Sequence, residues 1–532
     1  MTDVDVVVVG AGFAGMYMLH KLRTLGFSAQ VFEVGDGVGG TWYWNRYPGA
    51  RCDVESMEYS YNFDEDLQQE WEWSERYAPQ PEIEAYANHV ADRFDLRKDI
   101  KFSTRVESAT FDETDNTWRV TTDQGDDLTA KFVVMATGCL SSANTPEIDG
   151  METFEGPTYH TGRWPKEGVD FAGKRVAVIG TGSSAIQAIP IIADECDDLT
   201  VFQRTANYAV PARNAKLDPD YVADIKSTYQ EFREANKLMG AAFGSRLPPG
   251  TEKGVLEVSD EERLAVLEER WEKGGLGFLG GFLDTMLLPE ANEKVADFVR
   301  DKIRGVVNDP EVAELLAPKQ VIGCKRLCVD TGYYETFNRD HVHLVDINKS
   351  PIQRITPTGV QTVDQTHDVD MIVFATGFDA MTGALLRVDI KGRNGEPLRD
   401  AWAAGPRTYL GLGVAGFPNL FTISGPGSPS VLTNMIVSIQ QHVDWIGDCL
   451  SYLRGNDLSA IEATQPAQDE WVEYVNAVAS FTLFSNCNSW YLGANVPGKT
   501  RVFMPLLGYP PYVEKCDQVA ADNYEGFALI PS

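Results

Sequence analysis

No apolar run in this 532-residue chain approaches the ~20 residues that a bilayer-spanning helix needs. None of its eight cysteines (Cys52, Cys139, Cys196, Cys324, Cys328, Cys449, Cys487 and Cys516) forms C-x-x-C, so neither a thioredoxin-type dithiol nor a zinc ribbon is supported. Free, mostly buried thiols are expected. The seven histidines are dispersed, and no metal site is expected. Basic residues are outnumbered 46 to 78, leaving a net charge of −32, which argues against nucleic acids and anionic membranes as partners. Solubility accounts for the acidic excess. Met1-Thr2-Asp3-Val4-Asp5 runs straight into an apolar strand, so no signal or transit peptide is expected in front of it. These absences describe a soluble, cytoplasmic chain, long enough for two or three domains.

A glycine pattern of the dinucleotide-binding kind occurs twice. Val6-Val7-Val8-Val9 runs into Gly10-Ala11-Gly12-Phe13-Ala14-Gly15, and Val176-Ala177-Val178-Ile179 into Gly180-Thr181-Gly182-Ser183-Ser184-Ala185. Such glycines permit a tight turn and close approach of a pyrophosphate to a helix N-terminus. Each copy is followed by a second strand, and these end differently. Ser28-Ala29-Gln30-Val31-Phe32 ends at Glu33, a carboxylate placed for free ribose hydroxyls, as in FAD or NAD(H). Leu199-Thr200-Val201-Phe202-Gln203 ends at Arg204-Thr205, where a guanidinium suits a 2′-phosphate. The first turn therefore reads as an FAD site and the second as an NADPH site. Ala185 in place of the third glycine is a tolerable departure, since that position demands only close helix–strand packing.

Two apolar strands end alike, at Ala136-Thr137-Gly138 and Ala375-Thr376-Gly377, each downstream of one glycine turn. Strand, turn and A-T-G ending thus form an internal repeat. The fold class expected is α/β: two Rossmann-like dinucleotide-binding domains, for FAD and NADP, with parallel, doubly wound sheets and a helical insertion in the NADP domain. Expected boundaries are 1–140 and 380–532 for the two parts of the FAD domain. The NADP domain takes 141–212 and 325–379, with the insertion at 213–324. Within the insertion, Ser259 with Glu262 makes a capping box ahead of Leu264, Leu267 and Trp271, and Val295, Phe298, Val299 and Ile303 form a second stripe. Residues 245–255 read as loop. The helical pattern around 434–453, with Trp445, is expected to pack on the first domain.

Between the two turns lies Phe154-Glu155-Gly156-Pro157-Thr158-Tyr159-His160-Thr161-Gly162-Arg163-Trp164-Pro165, which matches F-x-G-x-x-x-H-x-x-x-W-[P/D]. With both turns and both A-T-G endings in register, the chain resembles the type I Baeyer–Villiger monooxygenases from end to end. Within that family it is most similar to the phenylacetone, steroid and cyclohexanone monooxygenase branch. Gly39 through Asp53 and Asn488-Ser489-Trp490-Tyr491-Leu492-Gly493-Ala494-Asn495 fit as well. The C-terminal Leu506-Leu507-Gly508-Tyr509-Pro510-Pro511 departs from a more glycine-rich family stretch, which bears on the shape of the substrate tunnel.

The resemblance implies an FAD-containing, NADPH- and O2-dependent conversion of ketones to esters or lactones through a C4a-peroxyflavin, with NADP+ retained. That chemistry requires a deprotonated peroxide beside the flavin, and a cation that cannot lose its proton stabilises it best. By resemblance Arg326 is that cation and Asp53 the carboxylate that holds it. Gly10, Gly12, Gly15, Glu33, Thr41, Trp42, Asp53, Tyr59, Val106 and Met435 would bind FAD. Thr181, Gly182, Ser183, Ser184, Gln187, Arg204, Thr205 and Lys325 would bind NADP, and Trp490 would contact NADP or substrate. His160 is given a conformational role and Trp164 a packing one. The partners implied are a ketone and O2, with the protein a monomer or homodimer. The nearest alternative is an N- or S-oxidising flavin monooxygenase, against which Trp164-Pro165 and Arg326 argue. A non-catalytic flavoprotein would need neither Lys325-Arg326 nor the linker motif, and a disulfide reductase lacks its cysteine pair.

Overall fold

The computed structural model describes residues 2–492, 504–506 and 508–532. Gly493, Ala494, Asn495 and Leu507 of the family-like stretches lie outside the described residues.

Val4–Val9 is a strand because its valines favour the pleated backbone and have somewhere to go on both faces. Val6, Val7 and Val8 are fully buried. It pairs in parallel with Ala29–Phe32 on one side and Asp127–Met135 on the other. Around this pair runs a sheet in the order Asp389–Lys391, Val106–Asp112, Thr117–Thr122, Asp127–Met135, Val4–Val9, Ala29–Phe32 and Ile100–Lys101. Phe417–Thr422 pairs in parallel with the end of Asp127–Met135, so the chain after Gly377 contributes strands to the first sheet.

This sheet is not wholly parallel, contrary to expectation. Val106–Asp112, Thr117–Thr122 and Asp127–Met135 form an antiparallel meander. Their connections are only a few residues long, and a connection that short can return only an antiparallel neighbour. A further antiparallel trio is Ile352–Thr356, Gly359–Thr362 and Thr366–Asp368.

The second large sheet is parallel throughout, in the order Val342–Asp346, Asp198–Gln203, Arg175–Ile179, Met371–Phe374 and Thr158–His160. Its strands belong to two stretches of chain, 158–203 and 342–374. Between these the helices Pro219–Ser227, Tyr229–Lys237, Asp260–Lys273, Pro289–Val306 and Pro310–Leu316 intervene. Ser259 and Glu262 cap the third of them reciprocally. Leu267 is buried in the core these helices share with the second sheet, whereas Leu264 is 51% exposed and does not belong to the stripe. Val295, Phe298, Val299 and Ile303 are all buried, and residues 245–255 hold no helix or strand.

Met435–Gly455 packs along Phe13–Thr24, with Trp445 in the core of the first sheet and its indole N–H donating to the Cys516 carbonyl. Among the described residues no helix is long and apolar enough to cross a membrane.

The cysteines correct a second expectation. Cys324 and Cys487, 163 residues apart in sequence, are joined as a disulfide with their Cα atoms 5.7 Å apart. No local spacing marks such a pair; tertiary folding alone brings the two loops together. The other six are free and buried.

Candidate active site

Both glycine turns open into one cavity of about 1530 Å³, well beyond the roughly 300–1,000 Å³ of a single small-ligand site. Gly10 takes φ +106°, and a Cβ there would lie 2.6 Å from the Ala136 carbonyl oxygen, so the turn and the A-T-G ending touch backbone to backbone. At Gly15 a Cβ would come within 1.8 Å of the Gly10 carbonyl oxygen, which explains its place behind the turn rather than in the cavity. The second turn accepts Ala185 at the matching position, fully buried. Gly182 differs in kind: a Cβ there would meet no protein atom and would intrude on open space. Bare backbone at a helix start facing open space fits a pyrophosphate.

Every other residue given a cofactor-binding or catalytic role from the sequence lines this cavity: Gly10, Gly12, Glu33, Thr41, Trp42, Asp53, Tyr59, Val106 and Met435 on one side, Thr181, Gly182, Ser183, Ser184, Gln187, Arg204, Thr205 and Lys325 on the other, with Arg326 and Trp490.

Glu33 ends its strand with both carboxylate oxygens engaged. Oε2 accepts from the Ala11 N–H and Oε1 from the Gly35 N–H, each at 2.7 Å. Burial raises its pKa, and these two donors oppose the shift. Each oxygen keeps a second lone pair for a ribose hydroxyl. The Trp42 indole donates to the Tyr59 hydroxyl at 3.1 Å, locking two of the expected flavin contacts to each other.

Arg204 and Lys325 stand together at the other end, and among the described residues neither pairs with a carboxylate. Burial lowers the pKa of Lys325 and the Arg204 charge lowers it further. Two unneutralised cations in one cavity wall fit a dianionic phosphate. Gln187 does more than the resemblance implies. Its Oε1 accepts from the Tyr47 hydroxyl at 2.8 Å and its Nε2 donates to the Arg51 carbonyl at 3.0 Å, so it ties the 47–51 loop to the helix Ser183–Glu195.

Between the two ends sits Arg326. Its Nε donates to Asp53 Oδ2 at 2.6 Å, its Nη2 to Asp53 Oδ1 at 2.8 Å and its Nη1 to the Val431 carbonyl at 2.7 Å. Burial by itself would lower the guanidinium pKa, but the bonded carboxylate carries it well above its ordinary value. The Tyr491 hydroxyl, also against this cation, has its pKa pushed up to about 12 by burial, less far than it would go without the adjacent charge.

His160 ends the strand Thr158–His160. Its Nδ1 accepts from the Gly162 N–H at 3.0 Å, which leaves the proton on Nε2, 3.3 Å from the Asn144 carbonyl and from Thr376 Oγ1. Burial depresses its pKa, so it is a neutral brace between the linker and the second A-T-G ending. Trp164 is buried between Tyr159 and Phe171.

Sequence reasoning gave no role to Tyr491, to the Val431 carbonyl or to four further cavity arginines, Arg51, Arg105, Arg163 and Arg387. The Arg387 pKa is lowered by burial and by Arg163 and Arg105. Arg105 adjoins Val106 and Arg163 lies inside the linker motif, so both were within reach; Arg387 carries no local signal.

A family model described as pyridine nucleotide-disulphide oxidoreductase matches residues 7–260. Among curated relatives, the chain is 44% identical to the 2-oxo-Δ3-4,5,5-trimethylcyclopentenylacetyl-CoA monooxygenase of Pseudomonas putida, covering 99% of this chain and 98% of the relative. It is 43% identical to a Baeyer–Villiger monooxygenase of Pseudooceanicola batsensis, covering 98% and 95%, and 42% identical to the phenazine N-monooxygenase PhzNO1 of Lysobacter antibioticus, covering 99% and 97%. Among solved structures, oxidized steroid monooxygenase bound to NADP superposes with a TM-score of 0.95 at 52% identity, covering 99% and 100%. The OTEMO complex with FAD and NADP gives 0.95 at 43%, covering 99% of each.

Proposed function

The chain belongs to the flavin-dependent Baeyer–Villiger monooxygenases, and from that premise we propose which of its own side chains serve the reaction. It is an FAD-containing enzyme that uses NADPH and O2 to turn ketones into esters or lactones. Bound FAD and NADPH would supply the electrons that activate O2.

Arg326 is the fixed cation. Three of its five N–H donors are held by Asp53 and Val431, so the charge is oriented before any substrate arrives. Negative charge developing on oxygen during insertion then meets a positive group that cannot give up its proton. Asp53 positions it. Glu33 holds the ribose of FAD, with the backbone of Gly10 and Gly12 at its pyrophosphate and Trp42, Tyr59 and Met435 towards its ring system. Arg204 and Lys325 take the NADP 2′-phosphate, with Thr181, Gly182, Ser183 and Ser184 along its pyrophosphate. Residues 1–140 and 380–532 make up the FAD half, 141–212 and 325–379 the NADP half, and 213–324 the insertion. The substrate is a ketone met between Arg326 and the wall formed by Val431, Met435 and Trp490.

The observation that carries this reading is the Asp53–Arg326 pair, which joins the two nucleotide halves inside their shared cavity. Product mass spectrometry over a ketone panel tests it. Arg326→Ala is expected to keep NADPH-driven bleaching of the yellow flavin and to lose ester formation. The phenazine N-monooxygenase relative supports a second reading, N- or S-oxidation. That reading stands if amines or sulfides, and no ketone, accelerate NADPH oxidation.

A further inference from the structure

Cys324 and Cys487 have no part in the chemistry above, yet they sit around its central cation. Cys324 lines the cavity, one residue before Lys325 and two before Arg326. Cys487 closes the turn Leu483–Asn486, three residues before Trp490, which lines the same cavity, and four before Tyr491, which lies against the Arg326 guanidinium. The sulfur–sulfur bond thus ties the segment carrying the cation to the strap carrying the two aromatics. Hydrophobic packing also holds that strap, since Tyr491 and Leu492 pack with Val431 and Cys139. The bond adds a covalent constraint where packing already sets the geometry.

We propose that Cys324 and Cys487 are a peroxide-responsive pair whose oxidation locks the Trp490–Tyr491 strap onto the Arg326 segment and slows turnover that lacks a ketone. The inference rests on the flavin reading above for the source of oxidant. Without a ketone, NADPH, O2 and one proton give NADP+ and hydrogen peroxide, released into the cavity that Cys324 lines. Lys325, Arg326 and Arg204 share that cavity with Cys324. The Cys324 thiolate attacks one peroxide oxygen, the O–O bond breaks, and, with the proton the thiol gave up, a sulfenic acid and one water result. The Cys487 sulfur then attacks Cys324 Sγ; the S–S bond forms, the S–O bond breaks, and the second water leaves with the remaining thiol proton. Both sulfurs are oxidised and both peroxide oxygens reduced. Pairs that form and reopen in this way are the usual use of disulfides where the surroundings are reducing.

The test uses the purified holoenzyme, reduced with dithiothreitol and desalted. Hydrogen peroxide added without NADPH is expected to lower the thiol count from eight to the six free cysteines and to yield a peptide linked through Cys324 and Cys487. NADPH without ketone should do the same, and catalase or a ketone substrate should prevent it. Ketone-independent NADPH oxidation should fall several-fold in the oxidised enzyme and recover with dithiothreitol, while Cys487→Ser and Cys324→Ser show no such response. Eight thiols after the peroxide challenge overturn the pair. Six thiols that persist after dithiothreitol on the native enzyme mean a permanent cross-link and overturn its responsiveness. Linkage by added peroxide but not by turnover, with peroxide accumulating in solution, overturns the internal source. If no ketone is oxygenated but added peroxide still links the pair, the flavin reading fails and the cysteine chemistry stands.

Discussion

Replacing Asp53 by asparagine separates the positioning of Arg326 from its presence. In the native site two charge-assisted hydrogen bonds of 2.6 and 2.8 Å fix the guanidinium against one carboxylate. An asparagine keeps one acceptor oxygen and presents an NH2 group where the other stood, so one bond is lost and two N–H groups face each other. The side chains of Arg326 and Asp53 are 21% and 25% exposed, so solvent screens the loss only partly. A hydrogen bond to a charged group contributes about 1.5–3 kcal/mol. If that loss falls on the oxygen-insertion step, ester formation slows by roughly ten- to a hundred-fold. Stopped-flow absorbance of the flavin should show NADPH-driven reduction at the native rate, with product analysis showing NADPH consumption uncoupled from ester. An Asp53→Asn enzyme that forms ester at the native rate and coupling would refute the positioning argument. So would one in which flavin reduction fails equally, since the carboxylate would then act through the fold.

Arg204→Ala should weaken NADPH binding by ~1.5–3 kcal/mol, one charge-assisted phosphate contact, and leave FAD retention unchanged; titration of both cofactors checks it. Gly182→Ala should fold normally, because its φ of −82° suits alanine and no atom lies in the way, yet raise the KM for NADPH. Gly180→Ala should instead lower the melting temperature, having φ +116° and a Cβ 2.4 Å from the Ala375 carbonyl oxygen; equal stability of the two variants would contradict this. Glu58 has its pKa pushed up to about 7, first by burial and then by Glu55. A carboxyl whose folded pKa lies above its unfolded 4.5 contributes stability at low pH that is lost as the pH rises through about 7. Glu58→Gln should therefore be more stable than the native chain at pH 8, on the order of 3 kcal/mol, and not at pH 4, by urea midpoints.

Both glycine turns, both A-T-G endings and the Ser259–Glu262 cap were legible because each is a local backbone requirement. A positive φ at Gly10 or a side chain bonded to an N–H three residues on depends on neighbours in sequence, and neighbours in sequence can be read. Glu33 and Arg204 were legible for the same reason, as ends of strands whose starts the turns fix. Leu264 was misread because helical spacing shows which residues share a face but not what covers it. The meander at 106–135 was misread because strand patterning carries no direction; the shortness of the connections does.

Sequence alone thus determined the two dinucleotide turns, the charges that end their second strands, and membership of the Baeyer–Villiger family. Only the tertiary structure decided that Asp53 and Val431 clasp that arginine, that Gln187 bridges the two halves, that Arg105, Arg163 and Arg387 share a cavity, and that Cys324 meets Cys487. Each of these contacts joins segments far apart in the chain, where proximity follows from how whole sheets pack and from no local pattern of residues.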